Sequence, residues 1–405
     1  MIKKRLGPLC KCYCSRSNPS LSSGKNEISA RPQYGSQRYD LSLLVFTPVR
    51  LDDDEMKYLL LIALIFFFEK SIYAESFKSP THFSNVRVRL FKDLNLFPEV
   101  TSARIKPLAQ NIWALEGDKL EFQNKKLSHK NFIFKNDKNH FDIIGIYDFN
   151  SYLAGVVSKE MPLSWPLEAL KAQAVIARSF ALARISERKN KMFHLDTDQM
   201  DQVFAMTNSQ KAQQAVQQTE NIVLKDQKNK ILKAFYHADC GGQTVPASQV
   251  WPDAIDSGTA VDPWCSDRKA NQWSFEVAKK DFYQVVAKDN QADSYAAISV
   301  NERFKGRIQS LKILGEIFSI QKLRQLFGFS LIKNSALKLT ETDDSILLSG
   351  KGFGHGVGLC QWGSLAQARL GRSYIQILEH YYPQAQITNP EIMLSKNFLS
   401  DLVFN

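Results

Sequence analysis

What the 405-residue chain lacks narrows its possible roles. No zinc-finger spacing, basic helix or RNP-like motif occurs, so nothing supports nucleic-acid binding despite a formal net charge of +11. The Lys and Arg residues are spread out, which leaves a solvated basic surface or attraction to an anionic polymer. Cysteine is scarce. Three of the six (Cys10, Cys12, Cys14) crowd the N-terminus, leaving Cys240, Cys265 and Cys360, so the six do not form one disulfide framework. The apolar run Tyr58–Phe68 holds eleven residues, too few for an ordinary membrane span. The polar loop Asp196-Thr197-Asp198-Gln199 begins like a calcium loop but lacks the glycine and distal Glu that would complete one.

That apolar run has another use. It follows Met56-Lys57 and leads to Ser71-Ile72-Tyr73-Ala74, the form of a signal peptide cut after Ala74. Residues 1–55, rich in Ser and Asn and ending in Asp52-Asp53-Asp54-Glu55, then read as an extension upstream of the true start. The expectation is an exported protein of the periplasm or cell envelope, beginning near Glu75. The alternative keeps the signal as a membrane anchor behind a genuine N-terminal tail.

The rest is ordinary globular composition, 44% hydrophobic and 23% charged. Alternating Val86-Arg87-Val88-Arg89-Leu90 predicts a strand, with further strands over 111–115, 131–134 and 142–147. Residues 75–141 form a small β-rich module, and 391–405 an uninformative tail. Between them, Leu167, Leu170, Ala174, Ala177 and Ala181 predict a helix over 165–186 with a small apolar face, Pro166 suiting its first turn. Helices are also expected at 209–219, 282–286, 320–327, 363–370 and 374–381, and strands at 222–224, 232–236, 272–277, 307–314 and 345–348. The fold class is α+β, a mixed β-rich core with packed helices.

Three stretches carry the chemistry. In YLAGVVSKEMPLSWP a lone Glu160 follows an apolar run and stands at the mouth of the long helix, where an acid of raised pKa could sit. In YHADCGGQT, His237 and Cys240 flank a Gly-Gly turn, with Cys265 downstream. A Cys240–Cys265 disulfide is preferred for an exported chain; a metal held by His237, Cys240 and Cys265, free thiols, or a cysteine nucleophile with His237 as base are the alternatives. In GKGFGHGVGLCQWG, six glycines in fourteen residues surround His355, and no Gly-Lys-Ser/Thr makes it a phosphate loop. It reads as a backbone-rich loop presenting His355, Gln361 and Trp362.

Together these stretches resemble the stage II sporulation protein D (SpoIID) family, the amidase-enhancer domain, over about 142–390. The Ser-Thr usual after the weaker middle segment is missing; Leu331-Ile332 stand there, and Cys360 replaces a small residue. The resemblance implies action on bacterial peptidoglycan. Sporulation members are lytic transglycosylases that cleave MurNAc–GlcNAc bonds of denuded glycan strands and leave 1,6-anhydro ends, with the Glu of Glu-Met-Pro, here Glu160, as acid and base. Other members enhance a cell-wall amidase without chemistry of their own. Glycan binding would fall to Gln173, Arg178, His237, His355, Gln361 and Trp362. No cofactor is required, although some family structures carry zinc near the groove.

Overall fold

The computed structural model describes residues 85–388 apart from 129, 199–200, 267–270 and 288–297. The expected upstream extension, signal peptide and tail lie outside the described residues. In chain order, strands β1 (Asn85–Leu94), β2 (Arg104–Ala109), β3 (Ile112–Glu116), β4 (Glu121–Phe122), β5 (Lys125–Lys126), β6 (Lys130–Lys135) and β7 (Phe141–Asp148) lead to helices α1 (Phe149–Glu160) and α2 (Leu167–Glu187). Then come β8 (Leu195–Asp196), α3 (Gln210–Gln217), β9 (Val223–Lys225), β10 (Tyr236–His237), α4 (Pro263–Ser266), β11 (Gln272–Ala278), α5 (Lys279–Val286), β12 (Ser299–Phe304), β13 (Arg307–Ile313) and β14 (Glu316–Ser319). The described chain closes with α6 (Ile320–Phe327), β15 (Leu337–Glu341), β16 (Ser345–Lys351), β17 (Leu359–Cys360), α7 (Gln361–Arg369), α8 (Tyr374–Tyr381) and β18 (Gln386–Thr388). The fold is mixed α+β, as expected. Among the described residues no helix is long and apolar enough to cross a membrane.

The largest sheet has the order β2-β3-β6-β7-β1-β8, antiparallel except where β1 meets β8. Pro107 sits in β2, the exposed edge, where a missing N–H does least harm to the ladder. Asp196 of β8 pairs with Arg89, and Asp198 with Lys92 at 2.7 Å, so the carboxylates of the calcium-like loop serve ion pairs instead. A second, separate core gathers around β11, β13, β15 and β16 with α5 and α6.

Three local differences from the sequence reading bear on function. The apolar run Leu153–Val157 lies inside a helix: the Asp148 side chain caps α1 by accepting from the Ser151 N–H at 2.8 Å, and α1 runs on to Glu160. Glu160 therefore ends α1, and α2 opens only at Leu167. Pro166 is the N-cap of α2, with extended backbone, one residue before the first turn. Of the expected strand over 232–236 only Tyr236 is in a strand, β10.

Helix α2 is buried on nearly every side, and its small residues let α1, α3, α7 and α8 pack against it. Arg178 is buried in this core. Its guanidinium donates to the carbonyls of Thr219 (2.7 Å), Ile222 (3.1 Å) and Val216 (3.1 Å), satisfying the end of α3 and the turn after it. Burial lowers its pKa to about 10, which leaves it charged at neutral pH. Replacement by Ala would orphan three buried carbonyls, so Arg178→Ala should cost about 3 kcal/mol or more in urea denaturation. A loss below about 1 kcal/mol would show that those carbonyls find other partners.

Candidate functional site

The second and third sequence stretches are laced together. β10 lies parallel to β17, with Tyr236 beside Leu359 and His237 beside Cys360. Beyond it, Asp239 and Phe353 exchange backbone hydrogen bonds at 2.9 and 2.8 Å, and the Val245 N–H donates to the Gly356 carbonyl at 2.8 Å. This close approach needs glycine. At Gly358 (φ +68°) a Cβ would fall 2.0 Å from the Phe235 carbonyl oxygen, and at Gly354 (φ +113°) 2.8 Å from the His237 Cβ.

Between these strands, the end of α1 and helix α6 lies a cavity of about 1090 Å³. Glu160, Tyr236, His237, Arg324, His355 and Gln361 all line it. That volume lies just above the range for small-molecule pockets, roughly 300–1,000 Å³, and suits a segment of polymer.

Glu160 is half-buried. Its Oε1 accepts from the Val203 N–H and from the Tyr236 hydroxyl, each at 3.0 Å. Loss of solvent raises its pKa; the bonds from Val203, Tyr236 and Gln361 pull the other way without cancelling that rise. Its position at the C-terminal end of α1, where the helix carbonyls carry partial negative charge, also favours the protonated form. Behind Tyr236, the Gln202 amide donates to the Tyr236 hydroxyl at 3.4 Å, and the Tyr152 hydroxyl donates to Gln202 Oε1 at 3.1 Å.

The histidines are neutral and held by backbone. His355 Nδ1 accepts from the Val357 N–H at 3.0 Å and its ring bonds the Tyr236 backbone; burial first, then Arg324, lowers its pKa to about 3. It packs edge-on to Trp251, whose ring stacks on Phe235 with centroids 4.2 Å apart. His237 donates from Nδ1 to the Val357 carbonyl at 3.0 Å, and its buried Nε2 has no hydrogen-bond partner among the described residues.

A family model described as stage II sporulation protein matches residues 137–225. An uncharacterised protein of Brachyspira hyodysenteriae is 30% identical over 259 residues, 61% of this chain and 68% of its own length. Stage II sporulation protein D of Bacillus amyloliquefaciens is 29% identical over 270 residues, covering 60% of this chain and 75% of that protein. The chain belongs to the stage II sporulation protein D family. An amidase enhancer of Bacillus subtilis is 28% identical over 289 residues, 58% of this chain but only 40% of the enhancer.

Within this SpoIID-family chain the expected site residues divide. Glu160, His237, His355 and Gln361 share the cavity. Gln173 is buried behind Gln361, whose amide donates to Gln173 Oε1 at 3.4 Å, so it supports rather than lines the cavity. Trp362 is exposed and packs on Trp165, centroids 5.1 Å apart, outside the cavity lining. Arg178, expected at the glycan, is spent on carbonyls in the core. Arg324 lines the cavity together with Arg184, Lys230 and Lys233; it is stacked on Phe329 at 4.9 Å and has no ion pair among the described residues. Burial lowers its pKa to about 10, so it remains charged.

The expectations for cysteine also need correction. No disulfide joins Cys240 to Cys265; the Cys265 sulfur lies 3.2 Å from that of Cys360. His237 does not join Cys240 and Cys265 as a metal ligand or as a base, because Nδ1 is bound to backbone and the ring lines the cavity, which none of the cysteines lines. Sequence reasoning missed Tyr236, although it stands beside His237, and missed Gln202 and Val203, which sit in a loop without periodicity.

Because the folded pKa of Glu160 lies above its ordinary value of 4.5, the stability it contributes is whole below that value and is lost as pH rises through the folded one. Glu160→Gln should therefore melt higher than the wild type at about pH 8 and match it below about pH 4. A variant that melts lower than the wild type at both pH values would contradict the assigned direction of the shift.

Proposed function

We propose that this protein acts on the bacterial cell wall as a lytic transglycosylase of peptidoglycan, with Glu160 as its acid and base. The observation that carries the reading is the Glu160 carboxyl group, of raised pKa and held by Tyr236 and the Val203 N–H at the wall of a large cavity. Most glycosidases need two carboxylates because water must be activated. Here no water is consumed. Glu160 gives its proton to the glycosidic oxygen between MurNAc and GlcNAc as the C1–O bond breaks. The resulting carboxylate takes the proton of the MurNAc 6-hydroxyl while O6 bonds to C1, closing the anhydro ring and returning the acid.

The surroundings fit these steps. Desolvation favours the protonated form of Glu160 before reaction, and three hydrogen-bond donors steady the carboxylate once the proton is gone. Arg324 is suited to the lactyl carboxylate of the substrate, the role first expected of Arg178. The stacked Phe235–Trp251 pair with His355 offers an aromatic wall beside a sugar. The resemblance to an amidase enhancer favours a second reading, a glycan-binding module that stimulates a cell-wall amidase.

Mass spectrometry of denuded glycan strands treated with the purified protein separates the two. Anhydro ends are expected from the wild type, with release cut by about 10³-fold in Glu160→Gln while glycan binding persists. Binding without anhydro ends would leave the enhancer reading. Removing the Tyr236 hydroxyl takes away a bond that favours the ionised carboxylate, so in Tyr236→Phe the alkaline limb of the rate profile should move to higher pH. A shift to lower pH would show that Tyr236 does not act on Glu160 in this way.

A further inference from the structure

Behind the cavity wall lies a second polar cluster, remote from the proposed chemistry. The sulfurs of Cys240, Cys265 and Cys360 and a carboxylate oxygen of Asp262 all lie within 4.8 Å of one another, and all four residues are buried. Three distant segments supply them: the turn after β10, the Asp262-Pro263-Trp264-Cys265 segment at α4, and the N-cap of α7. Asp262 and Cys265, three apart across the start of α4, can face the same point.

We propose that Cys240, Asp262, Cys265 and Cys360 form a closed structural site for zinc. Three soft thiolates with one carboxylate suit a tetrahedral Zn²⁺, whose ligand atoms at about 2.0–2.3 Å from the metal stand about 3.3–3.8 Å apart. Cys265 Sγ to Cys360 Sγ is 3.2 Å and Cys240 Sγ to Asp262 Oδ2 is 3.3 Å, so small side-chain movements reach that spacing.

Two further features point to a bound cation. Backbone N–H groups are aimed at sulfur: Gly242 at Cys240 (3.3 Å), and Cys240 and Gly363 at Cys360 (3.2 and 3.4 Å). Such bonds stabilise thiolate charge and orient a ligand. Asp262, fully buried, has no ion pair among the described residues, and its Oδ1 has no hydrogen-bond partner. A buried carboxylate without a countercharge is costly. The Tyr381 hydroxyl donates to Asp262 Oδ2 at 2.7 Å, and a Cβ at Gly363 would stand 2.1 Å from that oxygen, so the glycine makes room for this outer contact.

With four protein ligands the site has no open position and takes no part in bond cleavage. Its work is to tie the turn after β10 to the loop before α7, the two segments that carry His237 and Gln361 into the cavity. The site does not depend on the transglycosylase reading, since its test uses no glycan.

Metal analysis of the purified full chain should find about one zinc per molecule. Cobalt-substituted protein should show thiolate-to-cobalt charge transfer and intense tetrahedral visible bands. Cys360→Ser should lose at least about nine-tenths of the zinc, while His237→Ala keeps it. If Cys360→Ser does not fold, metal content and the cobalt spectrum of the wild type decide. Wild-type protein free of metal with a Cys265–Cys360 disulfide in its non-reduced peptide map, or zinc lost with His237 and kept without Cys360, would overturn the proposal.

Discussion

The backbone contact between residues 235–245 and 352–362 is the constraint on which the rest depends. Two chain segments more than a hundred residues apart run side by side at hydrogen-bonding distance, and side chains at Gly354 and Gly358 would force them apart. The contact sets His237 beside His355, with ring centroids 5.5 Å apart, and brings the start of α7 up to the end of α1. Arg307 holds the arrangement from the second core. Its guanidinium donates to the carbonyls of Cys240 and, at 2.6 Å, Gln243, and to the Ser335 hydroxyl at 3.2 Å. A buried charge used in this way fixes a turn that has no ladder of its own.

Glu160 stands where two opposing effects meet. Hydrogen bonds from Val203, Tyr236 and Gln361 would by themselves make it an ordinary or stronger acid, whereas burial makes it a weaker one, and burial prevails. A carboxyl balanced this way can give up a proton and be stabilised afterwards without moving its donors. The end of α1 adds a fixed partial charge of the same sign. Had Glu160 begun α2, the positive end of that helix would have favoured the carboxylate instead.

Much of the fold was legible in the sequence, because local pattern decides local structure. α6 and α8 stand at their expected bounds, the strands near 86 and 272 follow from alternation, and those near 131, 142, 307 and 345 stand where short strands were expected. The glycine-rich loop was legible because no ordinary core tolerates such a run. Helix α1 was not recognised: Leu153–Val157 is a short continuous apolar run, and periodicity cannot assign such a run to helix or strand. Arg178 was misplaced, and Arg324 given no role at the glycan, for a different reason. Charge and residue type are visible in a sequence, but whether a guanidinium meets solvent, substrate or a buried helix end depends on packing from α3 and α6. The same limit hid Asp262, whose nearness to three sulfurs arises only when the distant segments are laced together.

A single step of the chain at the start of α7 separates the two polar centres. Cys360, the N-cap, bonds through its sulfur to the Gly363 N–H and faces the cysteine cluster. Gln361, the next residue, reaches Gln173 and the Glu160 carboxyl in the cavity. Neither can shift along the chain without displacing the other, since the first turn of the helix fixes both. Closing the cysteine cluster around a cation therefore also fixes the height of Gln361 against Glu160. The two centres then form one mechanical unit, in which a fold-stabilising bond on one side of a helix start sets the position of a proton-handling group on the other.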